Sequence, residues 1–263
     1  MVVHLFRRKD GGGAARSVAP TVAPDERIYA IGDVHGRYDL LIPLLKRLHD
    51  DARLFSDQRR PRFVFLGDVI DRGEESRLVL DALSALTADP TDDMVLLLGN
   101  HEAALLAFLR DPVAGAAWLE FGGLQTLASL GISAPRSWTD PAEKIRVRDA
   151  LGARLAPYAS LFERFRLYLR SGDVVFCHAG LDPGKPVDAQ DETALTWGHP
   201  RFLVDTPVPD VRIVHGHFDA TDPVSRPGRI CVDTGAYYSG VLTAVRLDAG
   251  EAFLSVRAGS NGA

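Results

Sequence analysis

The chain has 263 residues, of which 46% are hydrophobic and 25% are charged, and its formal net charge at pH 7 is −5. This composition is that of a globular protein with enough apolar material for a core, and the mild negative charge argues against nucleic acid or an anionic membrane surface as a partner. No apolar stretch approaches the roughly 20 residues that a membrane-spanning helix needs.

The N-terminal stretch, residues 1–24, carries basic residues followed by Gly, Ala and Pro rather than by an apolar run. This pattern does not match a secretory signal and is typical of disorder, so we predict a disordered segment here and a flexible tail over residues 259–263. Cys177 and Cys231 lie in apolar runs, which indicates buried thiols in a reducing compartment. We therefore predict a cytoplasmic protein with one folded domain over residues 25–258.

Three strand–loop–helix units follow in succession. The runs "RIYAIGD", "RFVFLGD" and "DMVLLLGNHE" are apolar and end in glycine and polar residues, and each precedes a segment with apolar residues at helical spacing. Successive units of this kind predict right-handed βαβ topology. Because the polar motifs then fall at the carboxyl ends of the strands, where α/β folds bind ligands, we expect the functional site at that edge.

From about residue 111 to residue 170 the pattern changes to helical or loop-like segments. No Pro/Ser linker brackets this stretch, so we interpret it as a helical insert that lies beside the site and shapes substrate access. It contains no histidine, and we expect it to supply no metal ligand. The β-rich runs that follow are "RLYLRSGDVVFCHAGL", "VRIVHGHF", "GRICVDTGA" and "GVLTAVRLDAGEAFLSV", and their Gly/Asp turns predict a second, more antiparallel sheet.

The polar side chains at the strand ends share one chemistry, because carboxylate, imidazole and amide oxygen are ligands for borderline and hard divalent metals. They are Asp33, His35, Asp68, Asp71, Asn100, His101, His178, His215 and His217. A set of six ligands is too large for one tetrahedral ion but suffices for two ions about 3.5–4 Å apart that share a carboxylate. With two carboxylate ligands such a centre keeps a charge of about +2, which can hold a phosphate group on an acidic chain.

Each motif taken singly also has a structural explanation. The "DVH" motif can be a polar loop, and His178 can be a hydrogen-bonded structural histidine. The "GNHE" motif can begin a helix, with Asn100 as its N-cap and Glu102 near the positive helix end. The occurrence of all these motifs in order, each after an apolar run, favours the metal site.

Five blocks resemble the signature motifs of the phosphoprotein phosphatase family, which belongs to the metallophosphoesterase superfamily. They are "GDVHG" (32–36), "GDVIDRG" (67–73), "GNHE" (99–102), "HAGL" (178–181) and "HGH" (215–217). The resemblance spans residues 27–254 and is closest to the short bacterial serine/threonine phosphatases. It implies an α/β fold, a metallophosphoesterase-like sandwich of two mixed β-sheets flanked by helices, with the metal site at the C-terminal ends of the strands.

The resemblance also implies the metal ligands of a dinuclear centre. They would be Asp33 and His35 for the first ion, Asp68 as the bridge, and Asn100, His178 and His217 for the second ion. His217 is preferred to His215 because the family's block ends in Gly-His. Mn²⁺ is the expected metal, with Fe and Zn as alternatives.

For the reaction, the resemblance implies that His101 is the general acid, that Asp71 orients it, and that Arg72 clamps phosphate oxygens. A second phosphate-binding arginine often lies two residues after a tryptophan, where "TWGHPRFL" has His199. Arg201 lies two residues further on, so either Arg201 or His199 would take this part. Attack by a metal-bridging hydroxide would be direct and in line, without a covalent phosphoenzyme.

The implied activity is metal-dependent phosphomonoester hydrolysis by a serine/threonine protein phosphatase, on a phosphorylated protein or a small phosphoester. A symmetrical diadenosine tetraphosphate hydrolase is the alternative; such enzymes tend to have Gln and Asp where this chain has His35 and Glu102. A phosphopeptide-binding scaffold with a dead metal site would lack a ligand, and none is missing. We interpret Arg37, Lys185 and Tyr237 as surface or packing residues.

Overall fold

Ten strands form two mixed sheets in the described part of the chain, which comprises residues 21–89, 93–204 and 210–259 of this computed structural model. The first sheet consists of β1 (Glu26–Ile31), β2 (Arg60–Phe65), β3 (Asp93–Leu96), β9 (Val241–Leu247) and β10 (Glu251–Arg257). The second consists of β4 (Tyr168–Ser171), β5 (Val174–Cys177), β6 (Arg212–His215), β7 (Val224–Arg226) and β8 (Arg229–Cys231). In space the strands follow the orders β10-β9-β1-β2-β3 and β4-β5-β6-β8-β7.

Helices follow the first three strands, as the sequence pattern predicts. They are α1 (Tyr38–Ala52), α2 (Ser76–Ala88) and α3 (Asn100–Arg110), and the later helices are α4 (Leu124–Ser129), α5 (Pro141–Leu155), α6 (Ala159–Phe162), α7 (Glu192–Trp197) and α8 (Ala236–Ser239). None of the helices that the structure describes is long and apolar enough to span a membrane. The predicted α/β sandwich of two mixed sheets flanked by helices is confirmed.

Alternate residues of the first sheet face two different layers, because successive side chains of a strand point to opposite faces. On β1, Ile28 and Ala30 are buried together with Phe176 of the second sheet. Tyr29 and Ile31 instead belong to the cluster that contains the apolar face of α1 and the core of the helical segment. One side of the first sheet therefore packs against the second sheet and the other side packs against helices.

The parallel strands bring their carboxyl ends to one level. Ile31 of β1 pairs with Phe65 of β2, and Phe65 pairs with Leu96 of β3, all in parallel. In the second sheet, β5, β6 and β8 are also parallel, and His215 pairs with Cys231. The loops that follow these strands therefore begin side by side, where the sequence predicts the functional site.

The prediction of the second sheet was wrong in two respects. Its central strands β5, β6 and β8 are parallel, and antiparallel pairing is confined to the β4/β5 and β7/β8 pairs. The last β-rich run forms the hairpin β9–β10, which pairs antiparallel with β1 and so extends the first sheet. A hairpin carries no local signal for the sheet that it joins, because its outer pairing depends on contacts with residues about 200 positions away in this chain.

The predicted domain limits differ from the structure at their edges. Thr21 and Ala23, predicted to be disordered, form backbone hydrogen bonds to Asp173 N and Ser171 Oγ, and Val22 is buried between the sheets. The last residues of the predicted helical insert, 168–170, lie in β4. The rest of the predicted disordered segment, residues 1–20, and most of the predicted tail, residues 260–263, lie outside the described residues. Both cysteines are buried free thiols, as predicted.

Candidate functional site

A cavity of about 90 Å³ opens at the carboxyl ends of the parallel strands. Loops from both sheets line it, because each sheet ends its parallel strands at this edge. The lining residues are Asp33, His35, Asp68, Arg72, His217, Asp219, Asp233, Gly235 and Tyr237. Several of the predicted site residues therefore meet at one small, polar opening.

Asp68 lies at the centre of a ring of imidazoles. Its Oδ2 atom is 3.4 Å from His178 Nε2, 3.6 Å from His35 Nε2 and 3.9 Å from His101 Nε2. These distances are longer than an ordinary N–H···O hydrogen bond. They suit atoms that share an ion, since two ligands each about 2.1 Å from a tetrahedral metal lie about 3.4 Å apart.

Two groups of side chains in the described residues hold ligand atoms close enough for a metal ion. One group consists of Asp68, His35 and His101, and the other of Asp68, His178 and His217. Asp68 belongs to both groups, which is the position that the predicted bridging ligand needs. The donor set, made of carboxylate and imidazole, fits borderline and hard divalent metals.

The predicted ligands of the second ion converge. Asn100 Oδ1 lies 2.9 Å from both His178 Nε2 and His217 Nδ1. The other ring nitrogen of His178, Nδ1, donates to the carbonyl oxygen of Leu66 at 2.9 Å, which fixes the ring with Nε2 toward Asp68. The structure thus brings together all four side chains that the sequence assigns to this position.

The predicted ligands of the first ion converge only in part. His35 Nδ1 donates to Ile70 O at 2.9 Å, which leaves Nε2 toward Asp68. Asp33 lines the same cavity, but its carboxylate accepts the backbone N–H of His217 at 3.1 Å and is not part of either group of described residues. Burial raises the pKa of Asp33 well above its usual range, and the charges of Asp233 and Asp68 add to this effect. A cation in the cavity would offset that repulsion.

The imidazoles on opposite sides of the cavity are neutral at pH 7. Burial lowers the pKa of His35 to about 3 and the pKa of His217 to about 4. Burial alone would raise the pKa of Asp68, but the positive charges of His178 and His101 outweigh it and hold this pKa well below its usual range. His35 and His217 therefore offer the lone pairs that metal ligands need. Burial alone would lower the pKa of His178, but Asp68 outweighs it and raises this pKa, so a metal that bound this ring would displace its proton.

The predicted hydrogen bond between Asp71 and His101 is present, with 2.8 Å between Asp71 Oδ2 and His101 Nδ1. Both side chains are buried. Burial alone would lower the pKa of His101, but Asp68 and Asp71 outweigh it and raise this pKa. The arrangement holds a proton on an imidazole beside the cavity, which is what a general acid requires.

The helical segment after α3, which corresponds to the predicted helical insert of residues 111–170, supports Asp71. The sequence did not reveal this role. Trp118 Nε1 donates to Asp71 Oδ2 at 2.8 Å, and Thr126 Oγ1 donates to Asp71 Oδ1 at 2.5 Å. Gly122 O accepts the backbone N–H of Arg72 at 3.2 Å. A Cβ atom on Gly122 would lie 2.7 Å from Arg72 N, so this position admits only glycine. The segment therefore shapes the site from behind without belonging to either metal-ligand group.

Replacing Trp118 by Phe is expected to lower turnover about 10- to 100-fold while metal content stays the same, because this hydrogen bond orients Asp71 and through it His101. The measurement is kcat on a phosphoester with a poor leaving group, together with metal analysis. Trp138→Phe, at an exposed tryptophan, is the matched control and should leave kcat unchanged. Unchanged turnover in Trp118→Phe would contradict this role.

Glu102 holds the loop that carries Asp68. Its carboxylate accepts the backbone N–H groups of Asp68 at 2.8 Å, Val69 at 2.9 Å, Ile70 at 3.3 Å and Gly99 at 3.1 Å. The sequence indicated only that Glu102 lies near the start of α3. In the structure the N-cap of this helix is Gly99 rather than Asn100. A capping position can be predicted from spacing, but the reach of Glu102 into a loop 34 residues away cannot.

Left-handed backbone conformations concentrate in these loops. Five site residues that are not glycine have positive φ angles: His35 (46°), Asp68 (51°), Asp71 (70°), Arg72 (65°) and His217 (63°). Such a conformation costs roughly 1–2 kcal/mol per residue for an L-amino acid. The hydrogen bonds from Glu102 and the helical segment oppose this strain and fix the directions of the side chains.

The residues predicted to bind phosphate separate into two sets. Arg72 lines the cavity, with its guanidinium 4.8 Å above the ring of Tyr237. Neither Arg201 nor His199 is among the described residues that line it, and His199 Nε2 instead lies 3.8 Å from Asp182 Oδ1. A second phosphate contact from Arg201 or His199 stays a prediction.

The sequence analysis did not assign four of the residues that line the cavity, Asp219, Asp233, Gly235 and Tyr237, to the site. Tyr237, interpreted as a packing residue, lines the cavity together with Asp219 and Asp233. For Asp233 and Tyr237 the sequence signal is the run "CVDTGAYY", which follows a strand in the same way as the other motifs, and Asp219 lies two residues after His217 of the "HGH" block. His215, in contrast, is buried with its ring against those of Phe202 and Phe218, and it belongs to neither metal-ligand group of the described residues.

A sandwich of two mixed sheets with clustered histidine and aspartate side chains at the strand ends defines a metallophosphoesterase-type hydrolase. A family model described as calcineurin-like phosphoesterase matches residues 26–241. The chain belongs to this family, whose members are hydrolases that use divalent metal ions. The resemblance is thereby confirmed at the level of the metallophosphoesterase superfamily.

Similar proteins carry names that point to nucleotide chemistry. An asymmetrical bis(5'-nucleosyl)-tetraphosphatase PrpE from Oceanobacillus iheyensis is 27% identical, over 88% of this chain and 92% of the relative. A symmetrical bis(5'-nucleosyl)-tetraphosphatase from Xanthomonas axonopodis pv. citri is also 27% identical, over 85% of this chain and 82% of the relative. A crystal structure provisionally assigned to a diadenosine tetraphosphatase has a TM-score of 0.59 and 22% identity, and the match covers 93% of this chain and 100% of that chain. That last likeness concerns the fold.

Proposed function

We propose that this protein hydrolyses dinucleoside polyphosphates. The observation that carries the proposal is the buried set of ligands around Asp68 beside a cavity that contains Arg72, since this set suits hydrolysis of a phosphoester or a phosphoanhydride. The two relatives named above match more than four-fifths of this chain and of their own length, and both are named as bis(5'-nucleosyl)-tetraphosphatases. These names favour the nucleotide substrate over the phosphoprotein that the motif resemblance implied.

The two groups of ligand atoms that share Asp68 support a centre of two divalent ions. Asp33, His35 and Asp68 would hold the first ion, and Asp68, Asn100, His178 and His217 would hold the second. No thiolate belongs to this set, so hard and borderline metals such as Mn²⁺, Fe or Zn suit it. When bound, such ions neutralise phosphate charge and lower the pKa of water.

The protein's own side chains complete the reaction. Arg72 lines the cavity with its guanidinium beside the ring of Tyr237, and its planar fork of donors can bind phosphate oxygens there. His101 holds a proton for the leaving oxygen, and Asp71 keeps the ring in place through the bond at Nδ1. The contacts from Glu102 and the helical segment keep these groups in position before the substrate arrives.

A serine/threonine phosphatase is the second candidate, because His35 and Glu102 occupy the positions where that family's motifs have His and Glu. Both residues also have clear structural places here, one beside Asp68 and the other beneath its loop. The motifs therefore favour a phosphoprotein, whereas the named relatives favour a dinucleotide.

The test compares kcat/KM on diadenosine tetraphosphate, a phosphoserine peptide and p-nitrophenyl phosphate with the Mn²⁺-loaded enzyme. We expect the dinucleotide to have the highest kcat/KM, and activity to vanish with a chelator and return with added metal. Chromatography of the products separates symmetrical cleavage, which gives two ADP, from asymmetrical cleavage, which gives AMP and ATP. A higher kcat/KM on the phosphoserine peptide would contradict the proposal and support the second candidate.

A further inference from the structure

An exposed aromatic ring stands at the rim of the cavity. The side chain of Tyr238 is 58% exposed. Its hydroxyl donates to Asp219 Oδ2, and its ring lies 5.0 Å from the ring of Tyr237 in an edge-on arrangement. Because Asp219 and Tyr237 both line the cavity, the ring of Tyr238 borders the place where phosphate would bind.

The position of this ring is fixed before any ligand binds. Gly235 has a φ angle of 64°, and a Cβ atom on it would lie 2.3 Å from the ring of Tyr238. Arg37 Nη1 donates to Ala236 O at 2.6 Å and anchors the short helix α8 that carries the tyrosine. An aromatic side chain held rigidly in solvent loses little conformational entropy when a flat partner covers it.

The neighbouring aromatic side chain, Tyr237, is 38% exposed and is partly covered by side chains of the site. The guanidinium of Arg72 lies 4.8 Å from the centre of the Tyr237 ring, and the ring of His35 contacts it edge-on at 5.4 Å. Tyr237 therefore packs within the site, whereas Tyr238 presents an uncovered surface to solvent. The carboxylates of Asp219 and Asp233 at this rim would repel a further phosphate, so a neutral flat group suits it better.

We propose that a nucleobase of the substrate stacks on Tyr238. This inference rests on the proposed function, because in a dinucleoside polyphosphate a nucleoside flanks each end of the phosphate chain. With the phosphates beside Arg72 and the ligands around Asp68, a nucleoside that leaves the cavity past Asp219 meets this ring. Stacking on an aromatic side chain tolerates any base, because every base has a π-face.

The experiment measures competitive inhibition of p-nitrophenyl phosphate hydrolysis by AMP and by inorganic phosphate in the metal-loaded enzyme. Stacking is worth about 1–3 kcal/mol per base, so Tyr238→Ala should raise the inhibition constant of AMP about 5- to 140-fold. The inhibition constant of phosphate should stay within about twofold, because the ring does not touch the phosphate. Tyr238→Phe keeps the ring and should restore AMP inhibition. Trp138→Ala, at an exposed tryptophan outside the cavity lining, should change neither constant.

Several outcomes overturn the inference. One is an unchanged inhibition constant of AMP in Tyr238→Ala. Another is an increase of this inhibition constant in Tyr238→Phe that is as large as the increase in Tyr238→Ala. A parallel loss of AMP and phosphate binding in Tyr238→Ala that recurs in Tyr238→Leu would indicate general damage to the site and overturns it too. If the native enzyme fails to cleave diadenosine tetraphosphate, the proposed function fails, while the comparison of AMP with phosphate still tests the stacking surface.

Discussion

Asp68→Asn is expected to lower kcat/KM by at least about 10³-fold on every phosphoester substrate and to remove bound metal, since metal ions stabilise the transition state by several kcal/mol. The physical reason is the position of Oδ2, which faces the imidazoles of His35, His101 and His178 at 3.4–3.9 Å. An amide in its place carries no charge and cannot join two cations. This substitution therefore disturbs both proposed ion positions at once.

The substitution leaves the loop itself intact, which makes it a clean test. Asp68 Oδ1 accepts the backbone N–H of His101 at 3.0 Å, and the Asn side chain keeps an oxygen for this bond. Asp71→Asn is the matched control, because Asp71 belongs to neither metal-ligand group. Asp71→Asn should lower kcat/KM only about 10- to 100-fold and should leave the metal in place. Elemental analysis and kcat/KM decide the matter, and an Asp68→Asn enzyme with two metals per chain and near-native activity would refute the bridging role.

His101→Asn is expected to reduce kcat by about 10²–10⁴-fold on phosphoserine peptides and much less on p-nitrophenyl phosphate, while metal content stays the same. Serine alkoxide is a very poor leaving group and needs a proton as the bond breaks. p-Nitrophenolate leaves well without one. The bond between His101 Nδ1 and Asp71 Oδ2 keeps the proton-bearing ring in place, and Asn offers no comparable proton.

Dinucleoside polyphosphates extend this test to the proposed substrate. Their leaving group is a nucleotide phosphate, which is far less basic than an alkoxide, so His101→Asn should affect them less than phosphoserine peptides. Measurement of kcat on all three substrates beside metal content separates the possible roles. An equal reduction of kcat on every substrate, with both metals still bound, would show that His101 is not the general acid. Loss of metal would instead make it a ligand, as its place in one of the two metal-ligand groups allows.

The parts of the fold that the sequence predicted correctly are those governed by local patterns. Strands β1, β2 and β3 are apolar runs that end in glycine and polar residues, and parallel pairing brings their ends together. Knowledge of which residues follow those strands was therefore enough to assemble Asp68 with His35. The pairing of β9 with β1 could not be predicted in this way, because it depends on packing between residues that are far apart in the chain.

The missed residues of the site share the same cause. Trp118 and Thr126 reach Asp71 across 47 and 55 residues of sequence, and neither has a local pattern that differs from an ordinary helix core. The sequence pattern indicates only that Glu102 lies in the first turn of a helix. In the structure its carboxylate accepts a backbone N–H of the loop that follows β2. Spacing identifies side chains that could bind metal, but it does not identify the groups that hold them in place.

The two sheets contribute unequally to the proposed metal site, and a metal bound there would also stabilise the fold. Four of the proposed ligands, Asp33, His35, Asp68 and Asn100, follow strands of the first sheet, whereas two, His178 and His217, follow strands of the second. An ion bound by ligands from both sheets would link the two sheets at the carboxyl ends of their strands. At a free metal concentration 100 times its dissociation constant, one such ion adds about 2.7 kcal/mol to the free energy of unfolding. With these ligands, the supply of metal would set the fraction of the enzyme that is folded as well as the rate at which it turns over.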